Sequence, residues 1–420
     1  MNEVAELTIN WNRSILISGP IDDELVRSLT PKIFTLRQES SDPITIGIDS
    51  PGGSLSSLDV LLGLLTGPDQ DGRHGKIITV ATHRAYSAAA NFLAFGDYSV
   101  ALRHSQVLYH DVRFGGMLDV TPEKARDAAK SLQDTNYAFS LRLAHHVISR
   151  LIWIYIDLRP HFRKNQSNYP DIHKCYASLV EAYAPKIDGF ESVDLASFAT
   201  ALWANLSTAN DKLIHNVMER LARWIHLTKL VKSFPTYRKK GSKVIGLLDG
   251  ARDLHKIFSE KAGHFESSEE QLKLLLSLII ADISNTETNS VKFSSMLDRS
   301  IREFSIMESM NDPEHISNAS ELMLRHSHIF FIDALDRDFD SIPEEEKADL
   351  FNKAAPHARL LWHFCVLLCR ELFEGEHILK PTDAQLLGLV DEVAGGGPIQ
   401  SKRDFRVERA KAKAKPSTPA

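Results

Sequence analysis

Ile44-Thr45-Ile46-Gly47-Ile48-Asp49-Ser50-Pro51-Gly52-Gly53-Ser54-Leu55 is the stretch on which the fold turns. Its first five residues are β-branched apart from one glycine and lie between Pro43 and Pro51, which reads as a buried strand. Downstream, Leu55, Leu58, Leu61, Leu62 and Leu65 recur at helical spacing, so residues 54–65 read as a helix. The glycine pair lets the backbone bend sharply between the two and leaves N–H donors at the helix N-terminus. Such donors can stabilise an oxyanion, although a glycine pair after a strand is by itself simply a turn.

The same alternation extends on both sides. Ser14–Ser18 is a short apolar run ending at Gly19-Pro20, and residues 22–39 place Leu25, Val26, Leu29, Ile33 and Leu36 on one helical stripe. Lys76–Ala81 reads as the next strand, reaching Thr82, and residues 87–95 as a short buried helix. Tyr98–Leu102 and Gln106–His110 are two more strand-like runs. Strands alternating with helices imply a parallel sheet with right-handed crossovers.

Beyond residue 120 the rhythm changes. Of 21 glycines, eleven fall in residues 1–116 and only five in 117–374. Thr121-Pro122-Glu123 opens a long helix, with a cap, a first-turn proline and an early acid. Residues 211–228 put Leu213, Ile214, Val217, Met218, Leu221, Trp224 and Ile225 on one stripe. Residues 270–283 are leucine-rich but too short to span a bilayer. Ser341-Ile342-Pro343-Glu344 opens one further helix and 356–373 forms another. Thr382-Asp383-Ala384-Gln385 reads as a capping box starting a last helix that ends at Gly388. The organisation expected is an α/β core in 1–150, a mostly α-helical insertion in 151–370, a return segment in 371–397, and a basic, disordered tail in 398–420.

The chain has 420 residues, a formal charge of −6 and 43% hydrophobic residues, a globular composition too long for one ordinary domain. The mild acidity gives no reason to expect nucleic acid or an anionic membrane as partner. Three cysteines, Cys175, Cys365 and Cys369, argue against a disulfide framework. No transmembrane run is present and the first residues do not resemble a signal peptide, so a cytoplasmic location is expected. Cys365, Cys369 and nearby His363 lack the paired spacing of a metal site and read as core. His145-His146 and His326-x-His328 read as helix-surface residues, and Tyr237–Lys243 as a solvated basic loop. No metal or cofactor is expected.

Three features carry chemistry when taken together. The Gly52-Gly53 turn offers oxyanion donors. Ser87 follows the third strand and begins a helix, at the carboxyl edge of the sheet where open α/β folds keep their sites. His110 ends the apolar strand Val107-Leu108-Tyr109-His110, 23 residues after Ser87. Oxyanion donors, nucleophile and base are what serine acyl transfer requires. Each has a plainer reading: a turn, a helix cap, a hydrogen-bonded histidine.

These residues, in this order, resemble the proteolytic subunit of the Clp protease. The resemblance rests on residues 15–53, on Ala85-x-Ser87, on His110 with Gly115-Gly116, and on Asp383 through Val393 with its Gly388-Leu389-Val390-Asp391 ending. It covers roughly 10–150 and 371–394 and implies a ClpP/crotonase-like α/β fold interrupted by the helical insertion. It implies a serine endopeptidase in which Ser87 is the nucleophile, His110 the general base and Glu376 the third member, with Asp383 a fallback for that role. The N–H groups of Gly53 and Ala88 would form the oxyanion hole. An extended polypeptide would pair beside Gly52, Ser54 and Leu55.

The resemblance also implies a homo-oligomeric ring, whose stacking the insertion would alter, and an AAA+ unfoldase as partner. The short run of about 13 residues before the first strand speaks against family-type docking of such an unfoldase. His83 stands where the family has glycine, Ala88 where methionine is common, and Glu376 where it has aspartate. Two other readings remain open. One is a catalytically decayed scaffold working through its insertion. The other is an acyl-CoA enzyme of crotonase type, which would not need the Ser87–His110 pair.

Overall fold

The structure is a computed structural model. It describes residues 9–69, 71–113, 121–165, short runs between 199 and 221, and residues 313–325, 339–395 and 397–398. The first region forms the expected alternation: β1 (Ser14–Ser18), α1 (Asp23–Glu39), β2 (Ile44–Ser50), α2 (Leu55–Thr66), β3 (Ile77–Tyr86), α3 (Ala88–Ala94), β4 (Tyr98–Leu102) and β5 (Gln106–His110). Asp22 and Ser54 cap α1 and α2 by accepting the N–H groups of Leu25 and Ser57. Ile15, Ile17, Ile44, Ile46 and Ile48 are buried with Leu58, Leu61, Leu62 and Leu65 in one core, whereas Leu16, pointing the other way, is exposed.

Three more strands, β6 (Glu376–Leu379), β7 (Glu392–Ala394) and β8 (Gly397–Pro398), come late in the chain, and among the described residues the sheet has eight strands, in the order β1-β2-β3-β4-β7-β8, with β5 attached to β3 and β6 to β5. All pairs are parallel except β5–β6 and β7–β8. β3 is the strand that builds the site, and it is longer than its sequence suggests. Ile78–Ala81 pair with β4, while Arg84–Tyr86 pair with β5. Between those two partners its register against β2 shifts, from Ile48↔Ala81 to Ser50↔Ala85. A bulge of this kind bends a strand and re-aims the residues beyond it. Ser87 is the first residue past the end of β3.

The long helix α4 (Pro122–Asn165) begins as expected, with Thr121 Oγ1 accepting the Lys124 N–H at 3.3 Å. It continues without a break through residue 151. It packs against α6 (Glu344–Leu372), which also carries α5 (Pro313–Arg325). The two helices expected from 341 and from 356 are this single α6. Its buried stripe of Leu350, Ala354, Ala358, Leu361, Cys365, Leu368 and Leu372 runs through both stretches at helical spacing. Residues 212–218 are helical, with Leu213, Ile214, Val217 and Met218 buried on the expected stripe. Cys175, Gly115-Gly116, Trp224, Ile225, the 237–243 loop, the 270–283 run, His326, His328 and the tail from 399 lie outside the described residues.

The return segment supplies β6 (Glu376–Leu379), α7 (Pro381–Leu386), β7 (Glu392–Ala394) and β8 (Gly397–Pro398). The helix α7 does not start at a capping box: Lys380 is its N-cap and Pro381 its first residue, where a missing N–H costs nothing. Its end is as expected. Gly388 takes φ +74° and the Leu389 N–H closes onto the Ala384 carbonyl at 2.9 Å.

One buried arginine fastens these pieces. Arg150, on α4, donates from Nε to Asp391 at 2.9 Å and from its terminal nitrogens to the carbonyls of Ala94 and Gly96 and to Ser99 Oγ. Burial lowers its pKa to about 10, which leaves it charged at neutral pH. It therefore ties the helix leading into the insertion to the end of α3 and to the return segment.

Cys365 and Cys369 are buried in α6, with Cys365 Sγ 3.4 Å from the Ala144 carbonyl of α4. His146 is not a surface residue as expected. It is half-buried against Phe95, with ring centroids 4.8 Å apart, and burial lowers its pKa to about 4. His145 is exposed, its ring 5.0 Å from that of Trp362. No helix among the described residues is long and apolar enough to cross a membrane.

Candidate active site

Ser87 sits between β3 and α3 at φ 56° and ψ −121°, and among the described residues it alone other than glycine has a positive φ. Holding a serine there costs about 1–3 kcal/mol and persists only where the surroundings enforce it. They do so from three sides. Its N–H donates to the Leu108 carbonyl of β5 at 2.7 Å, and its own carbonyl accepts from Ala90 and Asn91 at 3.0 and 3.2 Å. The Gly52 turn closes the third side: a Cβ on Gly52 would lie 2.7 Å from Ser87 Cβ and collide with the Tyr86 carbonyl. A serine thrust out on a strained strand-to-helix turn is the geometry of a nucleophile elbow.

The plain cap reading of Ser87 does not hold. It occupies the N-cap position of α3, yet its side chain makes no cap hydrogen bond. The residue is half-buried, with Oγ left for other work.

The expected oxyanion donors lie beside it. Gly52 takes φ +92° and packs within 3.1 Å, by its missing Cβ, of the Ala88 nitrogen. Ala88 is the first residue of α3, so its N–H has no partner within the helix. Gly53 forms a parallel bridge with Ile21, closed by the Gly52 carbonyl (2.8 Å) and the Ser54 N–H (2.7 Å). That pairing does not consume the Gly53 N–H. Ser54 and Leu55, expected beside the substrate, are the cap and first residue of α2, both on the same turn.

His110 ends β5 and is half-buried. Its Nδ1 lies 2.5 Å from the Asp111 carbonyl oxygen. A carbonyl only accepts, so this contact requires the proton on Nδ1 and leaves the Nε2 lone pair as a base. Glu376 is the direct cross-strand partner of His110 in the antiparallel β5–β6 pair, so both residues point from the same face. Asp383 is 1% exposed, in the first turn of α7, where its carboxylate suits the helix N-terminus.

Glu376 stands across the strand pair from His110, but the three side chains are not joined. Neither Ser87 nor Glu376 is hydrogen-bonded to His110. The Glu376 carboxylate lies instead 3.5 Å from Arg113, both being more than half exposed. Sequence reasoning missed two participants here. Asp111 holds His110 through its backbone and accepts the Gly375 N–H on Oδ2 at 3.3 Å, and Arg113 competes for Glu376. Their position directly after the histidine was the available signal. His83 is exposed, 3.4 Å from Asp49, which Arg84 also binds at 3.0 Å. The Arg84 hydrogen bond holds the Asp49 carboxyl below its usual range, and the trio pins the end of β2 to β3. Among the described residues no cluster of ligands could hold a metal ion.

A mostly parallel α/β sheet presenting a strained serine at its carboxyl edge agrees with a ClpP-like fold. Residues 4–140, about a third of the chain, match the family model of the Clp protease. The match takes in Ser87 and His110 and ends inside α4, so Glu376 and the insertion lie outside it. The domain is thus of a peptidase type. No curated protein matches the chain.

Proposed function

We propose that the chain is a serine endopeptidase that cleaves polypeptides through an acyl-enzyme on Ser87. The observation that carries this reading is the Ser87 backbone: a strained, uncapped serine braced by a glycine turn has no structural role that glycine would not fill better. His110 Nε2 takes the Ser87 proton during attack and returns it to the leaving amine. The N–H groups of Gly53 and Ala88 receive the oxyanion, aided by the N-terminus of α3. Glu376 stabilises the imidazolium after turning from Arg113. Loose catalytic hydrogen bonds are common before substrate binds, which accommodates the unjoined triad. An extended substrate pairs beside Gly52, Ser54 and Leu55, and a homo-oligomeric ring encloses the site.

The test is hydrolysis of a fluorogenic peptide by the wild-type chain and by Ser87→Ala. The variant should lose at least about 10⁴-fold in kcat. Equal rates would sink the proposal. The separation of Ser87, His110 and Glu376 favours one rival, a non-catalytic relative working through its insertion. A folded oligomer that cleaves nothing would support that reading.

A further inference from the structure

The insertion reaches the site through a buried ion cluster. Arg220, in a helical stretch of the insertion, is 8% exposed. Its Nη1 lies 3.2 Å from Glu371 and 3.0 Å from Glu374, and its Nη2 also binds Glu374. Asn216, one turn earlier, donates to the other oxygen of Glu371 at 2.6 Å. Glu371 and Glu374 stand at the C-terminal end of α6, where the chain turns into β6. The Glu374 carbonyl accepts from His377 Nε2 at 2.8 Å, and Gly375 takes φ +90° with its N–H on Asp111. Glu376 comes next, opposite His110.

We infer that Arg220 is a positioning residue for catalysis: it fixes the Glu374-Gly375 turn from which the strand carrying Glu376 departs, and so couples the insertion to the acid of the triad. Two features favour this over a plain packing role. The cluster grips Glu371 in the last helical turn and Glu374 just past the helix end, the segment that sets where β6 begins. Gly375, in left-handed conformation, immediately follows and donates to Asp111, the residue after His110, so a shift at Glu374 passes directly to the start of β6, although Arg370 also binds Glu374 at 3.3 Å. The helical insertion then acts on the acid that orients the base and leaves the Ser87 elbow, which is braced by Gly52 and β5, untouched.

This inference rests on the serine-peptidase reading. Its test uses the full chain and the rate of labelling by a fluorophosphonate probe, together with peptide kcat and KM. Arg220→Gln should lower the labelling rate and kcat about fivefold with KM unchanged, and Arg220→Lys should restore part of the loss. In a Glu376→Gln background Arg220→Gln should have no further effect, because the residue it positions is already gone. Removing one partner of a buried pair can unfold a protein. If Arg220→Gln does not fold, Glu374→Gln, at a half-buried position, replaces it and should show the same kinetic pattern. Losses that multiply in the double variant, an unchanged rate in either single variant, or a fall in thermal midpoint without a kinetic change would each overturn the inference. An unlabelled wild type would instead overturn the peptidase reading itself.

Discussion

The serine side and the histidine side of the site are built from different materials. Around Ser87 everything is backbone: a positive φ, the Leu108 carbonyl, the Gly52 turn and the first N–H of α3. Around His110 the Asp111 carbonyl is joined by side chains, and two of them, Glu376 and Arg113, are mostly exposed and paired with each other. Backbone arrangements are held by the whole sheet and do not rearrange alone. Exposed side chains exchange partners at a cost of about 1 kcal/mol or less. The serine side is therefore preorganised, and the histidine side is where activity can be adjusted.

Attacking the backbone side should give the largest effect after loss of Ser87 itself. Gly52→Ala places a methyl group against the Tyr86 carbonyl and Ser87 Cβ, which cannot retreat, at a φ of +92° that alanine resists. Probe labelling should fall by about 10² or more while the circular dichroism spectrum is retained. A variant labelled at the wild-type rate would show that the turn does not brace the serine. On the histidine side, Glu376→Gln should lower kcat by about ten- to a hundredfold, less than full triads lose, because the Asp111 carbonyl already holds the imidazole tautomer. A loss as great as that of Ser87→Ala would erase the distinction between the two sides.

Acid tests a different contrast, between the sheet and the helices α4 and α6. Burial lowers the pKa of His146 to about 4 and of His363 to about 3, and lowers His357 as well. In the unfolded chain these groups take up protons near pH 6.5, whereas in the fold they stay neutral. Stability is therefore whole above about pH 6.5. Below it, stability falls by up to about 1.4 kcal/mol per pH unit for each histidine, until the folded pKa is reached. The thermal midpoint should drop between pH 7 and pH 5, and His363→Leu should flatten that slope. An unaltered slope would place the acid sensitivity elsewhere. The smallest effect is the one with opposite sign. Arg113→Ala frees Glu376 and should raise kcat about two- to fivefold, with the gain shrinking at high salt.

The same division explains what could be read in advance. Strands and helices from Ser14 to His110 were legible because each is specified locally, by β-branched runs, capping side chains and helical leucine spacing. The far end of β3 was not, since Arg84-Ala85-Tyr86 become a strand only by pairing with β5. For the same reason the short β6 and β7 carry no pattern of their own. They are strands because β5 and β4 receive them from far along the chain. Ser87, His110 and the glycine turn stood out as an ordered set. The pairing of Arg113 with Glu376, and the buried grips of Arg150 and Arg220, depend on contacts between distant residues that no local spacing encodes.

The central claim is that Ser87 is a nucleophile held ready by the backbone. The most direct measurement is the intact mass of the folded chain after exposure to a fluorophosphonate, followed by mapping of the modified peptide. A single adduct on Ser87, absent from Ser87→Ala, is the predicted result. A well-folded chain that takes up no adduct, or takes it up on another residue, would contradict the account.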